Sequence, residues 1–397
     1  MEVGLPGARP QRHPEMVIEM ERARFQAVGS MPFSLRRPWL LIRGTFVNRE
    51  QPDLAHLRSL QDPERFAWAI IPHVARSFAA SIVLLPHARA QVALVGYLYA
   101  RMLDTYEDMV PDFEQKIGAL RWFAERFSTG TMTGLAPPVE VSAASARQEV
   151  DRLLVERREL VDRLYATLPE SDQVRIAGMV TTMATSMQGW SETFAGQGGV
   201  LETEQQLSQY CDDVIGEPAR FAISLVVHQP LSESHHRSTS TISEMVQLAN
   251  VTRDIEKDLE RGIGYHPSLK PFLGATPDHP DAKEQVRKVR EELLVRALKC
   301  VPAYRRLLED LSLPAFSAAR GSAVLMLLFT DRHYRACAVA TGHEPWRGRN
   351  STLLLLLASL LSVVSQHWAN RILRRVEGRF LSAAETIERA IPSGAAA

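Results

Sequence analysis

Three cysteines in 397 residues, Cys211, Cys300 and Cys337, are too few and too scattered for a disulfide framework. No Cys-x-x-Cys pair offers a structural zinc site, so the three read as reduced thiols. Net charge is missing too: 46 Lys and Arg balance 46 Asp and Glu. No overall field therefore draws the chain toward nucleic acid, and any charge-based function must be local. The sequence has no glycine-rich dinucleotide fingerprint, no alternating run that marks strands, and no internal repeat. A signal peptide is not expected either. Residues 1–11 are Gly- and Pro-rich, and Glu15, Glu19, Glu21, Arg22 and Arg24 interrupt the next stretch, so a cytoplasmic location is the expectation.

What is present is apolar and helical. Hydrophobic residues make up 45% of the chain, enough for one large core. The expected organisation is an extension over 1–45, read as a flexible arm, followed by a single all-α domain over 46–390. Helix-length segments cover 89–109, 145–167, 173–194, 204–228, 239–260, 284–311, 318–340 and 351–387. The longest breaks, 196–199 and 264–280, suit loops at the mouth of a site. Residues 350–370 carry no formal charge and include the run Leu353–Leu357. Their Asn, Ser, Thr, Gln and His content leaves an apolar part shorter than a bilayer crossing. A buried core helix is the first reading, and peripheral membrane contact competes with it.

Two acidic signatures carry the chemistry. On a helix, Asp104 lies one turn from Asp108, with Glu107 beside them, and Asn250, Asp254 and Asp258 stack on one face of another. Carboxylates so placed repel unless cations bridge them. Two facing acidic helices can hold Mg2+, a hard ion that takes oxygen ligands and also binds substrate phosphates. Tyr97 and Arg101 extend the first stripe, and Gln247 and Arg253 accompany the second. Arg101 either pairs with Asp104 or Asp108 on its own helix or faces a phosphate. Arg76 and Ser77 offer a bidentate cation and a hydroxyl, or simply a helix start.

Taken together, Arg76-Ser77-Phe78, Tyr97 to Asp108, Tyr210 to Gly216 and Gln247 to Asp258 resemble the motif set of the squalene/phytoene synthases. The resemblance runs from about residue 60 to 375. The Glu of Asp104-Thr-Tyr-Glu107-Asp108 is more similar to the squalene-type first motif. It implies an isoprenoid-synthase helical bundle with a central apolar cavity, and Mg-dependent head-to-head condensation of two farnesyl diphosphates through presqualene diphosphate. Carried over by motif, Asp104, Glu107, Asp108, Asn250, Asp254 and Asp258 would hold or support the metal. Arg76, Ser77, Arg101, Gln247, Asn250 and Arg253 would bind the diphosphates; of the catalytic residues Arg101, Tyr97 and Tyr210, Arg101 would stabilise the leaving diphosphate, and the two tyrosines would lie beside the allylic cation. Phe78, Met183 and Met187 would line the tail channel, although core packing also accounts for a Met pair.

Departures from the motif set stand beside this resemblance. Ala75 replaces a usual Ser, and Glu217-Pro218 follows Gly216 where small or apolar residues are usual, so a kink is expected next to Tyr210. The stretch Ala318 to Ala323 replaces the segment tied to reduction, which weakens the case for NADPH. Trp346-Arg347-Gly-Arg349 reads equally as a dinucleotide-phosphate loop or a surface turn. Alternatives on the same fold are a phytoene-type condensation of longer chains, a terpene synthase that ionises one prenyl diphosphate, or a non-catalytic binder.

Overall fold

The computed structural model describes residues 33–47, 49–75, 77–130, 134, 136–139, 145–227, 230–275 and 279–391. Among them the regular structure is helical, apart from one isolated parallel bridge between Val200 and Gly264. The helices in chain order are α1 (Phe33–Phe46), α2 (Leu54–Ser59), α3 (Pro63–Val74), α4 (Ser77–Leu84), α5 (His87–Met109) and α6 (Phe113–Ser128). Next come α7 (Ala146–Glu156), α8 (Arg158–Tyr165), α9 (Glu170–Gly196), α10 (Glu204–Cys211), α11 (Glu217–Ser224) and α12 (Glu233–Glu260). The last are α13 (Pro280–Lys299), α14 (Val301–Asp310), α15 (Ala318–Ala340), α16 (Thr352–Val364) and α17 (Gln366–Ala390). Several starts are capped by a side-chain oxygen that takes an orphan backbone N–H: Asp62, Asp112, Ser145, Thr203, Ser232, Ser317 and Ser365.

Four segments expected to run through are broken, each for a local reason. The stretch 145–167 stops at Arg157, whose guanidinium turns away to the carbonyls of Arg58 and Leu60. The stretch 284–311 divides at Cys300, just ahead of Pro302, which has no N–H to continue the ladder. The stretch 351–387 parts at Ser365, which is extended and caps α17. Within 204–228 the chain opens into a π-helical turn over Asp212–Gly216, and Pro218 follows it. The wider turn accommodates the proline where a kink was expected. A Cβ at Gly216 would meet the Asp212 carboxylate, which would have to shift from its place against Arg220.

The apolar core has two halves. One is built by α1 and α3 to α9, with Trp68, Tyr99, Tyr106 and Phe123 fully buried. Residues 33–46, the later part of the stretch set apart as an extension, form α1 and bury Phe33 and Leu40 in this half. The other half gathers α10 and α12 to α17 around Tyr334 and Phe380. Helix α9 serves both: Met179, Met183 and Met187 pack in the first half, Trp190 and Phe194 in the second. Phe221 of α11 sits against Gly96 of α5, where any Cβ would displace its ring. The two long breaks meet each other: Leu201 N–H donates to Gly264 O at 2.9 Å and Gly264 N–H to Gly199 O at 2.8 Å. Gly199 has φ +91, and a Cβ there would strike the Gly262 carbonyl.

Residues 350–370 are neither a fully buried helix nor a span. Leu355, Leu356, Ala358 and Val363 of α16 face the core, whereas Leu353, Leu357, Leu360 and Val364 are exposed. Among the described residues no helix is long and apolar enough to cross a membrane. The three cysteines are free. The start of α15 is fixed by Arg320, which is 4% exposed and donates to the carbonyls of Pro314, Ala315, Ser362 and Val363. Replacing it by Ala removes the donor of the buried Ser362 carbonyl and the donors to the part-exposed carbonyls of Pro314 and Ala315. Arg320→Ala is expected to lower the unfolding free energy by about 3 kcal/mol. Arg320→Lys should recover little, because an ammonium cannot fork to four carbonyls. Urea unfolding followed by circular dichroism measures both.

Candidate functional site

Asp104, Glu107 and Asp108 occupy the last turns of α5, and Asp254 and Asp258 the last turns of α12. That is an unfavourable place for anions, since the helix dipole is negative at its C-terminus. Burial pushes Asp104 up to about 6, with Asp108 adding to the rise and Arg101 opposing it. Burial likewise lifts Glu107 to about 8, reinforced by Asp108 and Asp104, and Asp258 to about 7, reinforced by Asp108 and Asp254. Asp104 keeps 35% of its side chain in water, and Asp108 keeps 48%. The carboxylates therefore line a rim with an inner, dehydrated edge formed by Asp258, 11% exposed.

One guanidinium spans the two walls. Arg261, the C-cap of α12, donates to Asp108 Oδ1 at 3.0 Å, to Asp258 Oδ1 at 3.4 Å and to the Glu107 carbonyl at 3.2 Å. Lys116 of α6 adds a second positive charge near Glu107 and Asp108; its own pKa is lowered, chiefly by burial. Among the described residues no three His, Cys, Asp or Glu side chains are gathered closely enough to hold a metal by themselves. The donor set still fits Mg2+, which commonly takes one or two carboxylates and fills its shell with water and substrate phosphate. Burial is the main cause of the raised carboxylate pKa values, and the neighbouring carboxylates add to it.

The remaining residues named from the sequence fall in several places. Arg101 forks onto buried Asp151 of α7, Nε to Oδ1 at 2.9 Å and Nη2 to Oδ2 at 2.5 Å, and reaches Asp104 at 3.4 Å. Its strongest partner is thus neither of the helix-mates considered from spacing. Arg253 lies on Asp254, with Nε to Oδ2 at 2.9 Å. Asn250 donates to Gln247 Oε1 at 3.1 Å, the two lying about one and two turns before Asp254. Tyr97 packs on Phe78, centroids 5.6 Å apart, and its hydroxyl donates to Val74 O at 3.3 Å. Burial pushes the Tyr97 phenol up to about 12. Met183 and Met187 are fully buried in the first core half. Arg76 and the Ser77 side chain lie outside the described residues.

Beside the acidic rim stands an aromatic box. Tyr210 meets Trp190 at 5.6 Å and Phe194 at 6.0 Å, both edge-on, and Tyr265 at 5.4 Å. The Tyr210 and Tyr265 hydroxyls are 3.5 Å apart. Burial, with Glu107 and Asp258 nearby, holds both phenols far above their ordinary pKa, so both stay neutral. Trp190 is oriented by its Nε1–H donated to Asp213 at 2.9 Å. Spacing alone missed Arg261, Lys116, Trp190, Phe194 and Tyr265. Arg261 sits three residues after Asp258, a visible helical neighbour, and Tyr265 lies in the break suspected as a mouth.

Residues 71–347 match the family model described as squalene/phytoene synthase. Squalene synthase of Schizosaccharomyces pombe is 26% identical over 210 residues, 51% of this chain and 44% of the yeast protein. That of Eremothecium gossypii is 28% identical over 209 residues, 50% of this chain and 45% of its own length. The chain thus spans somewhat less than half the length of these curated relatives. A solved structure of TcSQS with the ligand BPH1237 superposes with a TM-score of 0.60 at 21% identity, over 82% of this chain and 96% of the other, a likeness of fold.

In the metal-free protein, folding holds protons on Glu107 and Asp258 more tightly than the unfolded chain does at its ordinary values of 4.5 and 3.8. The stability this contributes is full below about pH 4 and is lost as pH rises through about 7 and 8. The urea midpoint without metal should therefore decline across neutral pH, and Arg261→Gln should steepen the decline. Mg2+ with inorganic pyrophosphate should flatten it. A metal-free midpoint that rises over this window contradicts the arrangement.

Proposed function

The chain belongs to the squalene/phytoene synthase family, and from that premise we propose that it joins two farnesyl diphosphates head to head to give presqualene diphosphate. The observation that carries the proposal is the closeness of two acidic helix ends, bridged by Arg261, to a dehydrated box of four aromatic rings. A diphosphate leaving group and an allylic cation need these two environments side by side.

In this reading Asp104, Asp108, Asp254 and Asp258 hold Mg2+ jointly with the diphosphate oxygens, and Glu107, Gln247 and Asn250 support them. When bound, the ion neutralises the charge that grows on the departing diphosphate. Arg261 and Lys116 keep the rim from excess negative charge, and Arg253 swings from Asp254 to a phosphate oxygen. Arg76 and Ser77 add a further phosphate contact, and Arg101 sets the pitch of α5 through Asp151. The ring faces of Tyr210, Tyr265, Trp190 and Phe194 stabilise the cation and keep water from it. Tyr210 and Tyr265 remain neutral, so neither traps the cation as a phenolate. We assign the Tyr210 hydroxyl to pass on the proton lost when the cyclopropane ring closes. Tyr97, Phe78, Met183 and Met187 bound the prenyl tails.

A reductive second step would need a nicotinamide site. Arg320, in the segment that replaces the one tied to reduction, spends its donors on four carbonyls, and Trp346 donates to Asp331 at 2.8 Å. The proposed reaction therefore ends at the cyclopropylcarbinyl diphosphate. Purified protein with Mg2+ and farnesyl diphosphate, with and without NADPH, followed by phosphatase and mass spectrometry, tests this. The thirty-carbon cyclopropyl alcohol is expected in both samples. Squalene appearing only with NADPH would extend the reaction and overturn its proposed end point. A fifteen-carbon product, or none until geranylgeranyl diphosphate is supplied, would sink the proposal. Asp104→Asn and Asp258→Asn should each lower kcat by about a hundredfold or more, and Tyr210→Phe by a similar factor.

A further inference from the structure

Helix α16 presents one apolar stripe to the core and another to solvent. Leu353, Leu357, Leu360 and Val364, at 56%, 50%, 45% and 58% exposure, recur every three to four residues along its outer face. Phe316, 70% exposed, stands at the end of this stripe, because Ser317 N–H donates to Val363 O at 2.9 Å. An outward apolar face of this extent on a globular chain marks an interaction surface.

The charges around the face identify the occupant. Between Pro345 and Val376 the charged residues are Arg347, Arg349, Arg371, Arg374 and Arg375, with no Asp, Glu or Lys, in a chain whose net charge is zero. All five are exposed, two in the segment ahead of α16 and three in the second and third turns of α17. The flanking acids are Glu344, exposed three residues ahead of Arg347, and Glu377, which is paired with Arg305 at 2.7 Å. A second copy of the chain docking through this face would press like-charged rims together. An anionic lipid surface satisfies both the stripe and the arginines. We propose that α16 and Phe316 seat this protein on an anionic membrane surface, lying on it and not crossing it. The length agrees, since 13 residues make a helix of about 20 Å, short of a bilayer core.

This orientation gives a second feature a purpose. A cavity of about 760 Å³ lies between the starts of α5 and α12 and the loop before α15, lined by Pro86, Arg89, Ser232, His235, Phe316 and Ala319. It sits at the ends of α5 and α12 opposite the carboxylates, about 22 Å along α5 from Asp104 when counted from Arg89. Phe316 belongs both to its rim and to the exposed stripe, so seating α16 brings the cavity mouth to the lipid. The docking inference rests on α16 and its arginines, and stands or falls apart from the prenyl-transfer reading.

Flotation of the full chain with vesicles of phosphatidylcholine containing about one third phosphatidylglycerol, against phosphatidylcholine alone, tests it. The chain should float with the anionic vesicles and far less with neutral ones, and salt should release it. Arg371→Gln with Arg374→Gln should lower the partition about twenty-fold. Leu357→Gln with Leu360→Gln should lower it at least as much. All four side chains are exposed, so the melting curves should match the parent's and exclude misfolding. No flotation, or flotation that neither pair of substitutions weakens, overturns the proposal. So does a concentration-dependent dimer that the leucine substitutions dissolve without any vesicle binding.

Discussion

Negative charge concentrated at the ends of two helices that meet through Arg261 is the constraint on which the arrangement depends. Asp104, Glu107 and Asp108 belong to a helix of one core half, Asp254 and Asp258 to a helix of the other. Left alone, the two halves would be driven apart where they most need to meet. Arg261 closes that gap from the end of α12, while Arg101 ties α5 to α7 through Asp151. Positive charge is thus supplied twice, once across the site and once behind it. The rim remains partly open to solvent, with Asp104 and Asp108 keeping 35% and 48% of their side chains exposed.

Dehydration is the companion constraint. The aromatic box takes its members from three separate stretches, α9, α10 and the loop after α12. That loop is held by backbone bonds to the segment after α9, through Gly199 and Gly264. The glycines there are a requirement of close approach, and they let Tyr265 lie over Tyr210. The same packing that keeps both phenols neutral keeps water out, so the chemical state of the tyrosines and the dryness of the site have one cause.

The acidic stripes and the all-α character were legible in the sequence because both depend on short helical spacing. Helices were found, but long ones were drawn through single-residue breaks at Arg157, Cys300 and Ser365, where a long-range guanidinium contact, a proline and a side-chain cap respectively outweigh periodicity. Asp151 as the partner of Arg101, 50 residues on, follows from packing and leaves no trace in either motif. Tyr265 was hidden for a similar reason: it sits in an irregular loop, where spacing carries no directional information. Residues 350–370 posed a choice between core and membrane surface. Helix α16 turns one side to the core and leaves the other exposed, a mixture that composition averaged over the segment conceals.

The π turn at Asp212–Gly216 has a consequence for how this wall can change. One residue beyond an α-helical count shifts the phase between the chain before it and the chain after it by about 100°. Tyr210 faces the aromatic box and Phe221 faces Gly96 only under that shifted phase. Substitutions that resize either side chain leave the angle between them as it is. That angle resides in the extra residue of the turn, so a change in residue count, or loss of the turn through Gly216 or Pro218, would swing one side chain against the other by a whole step at once.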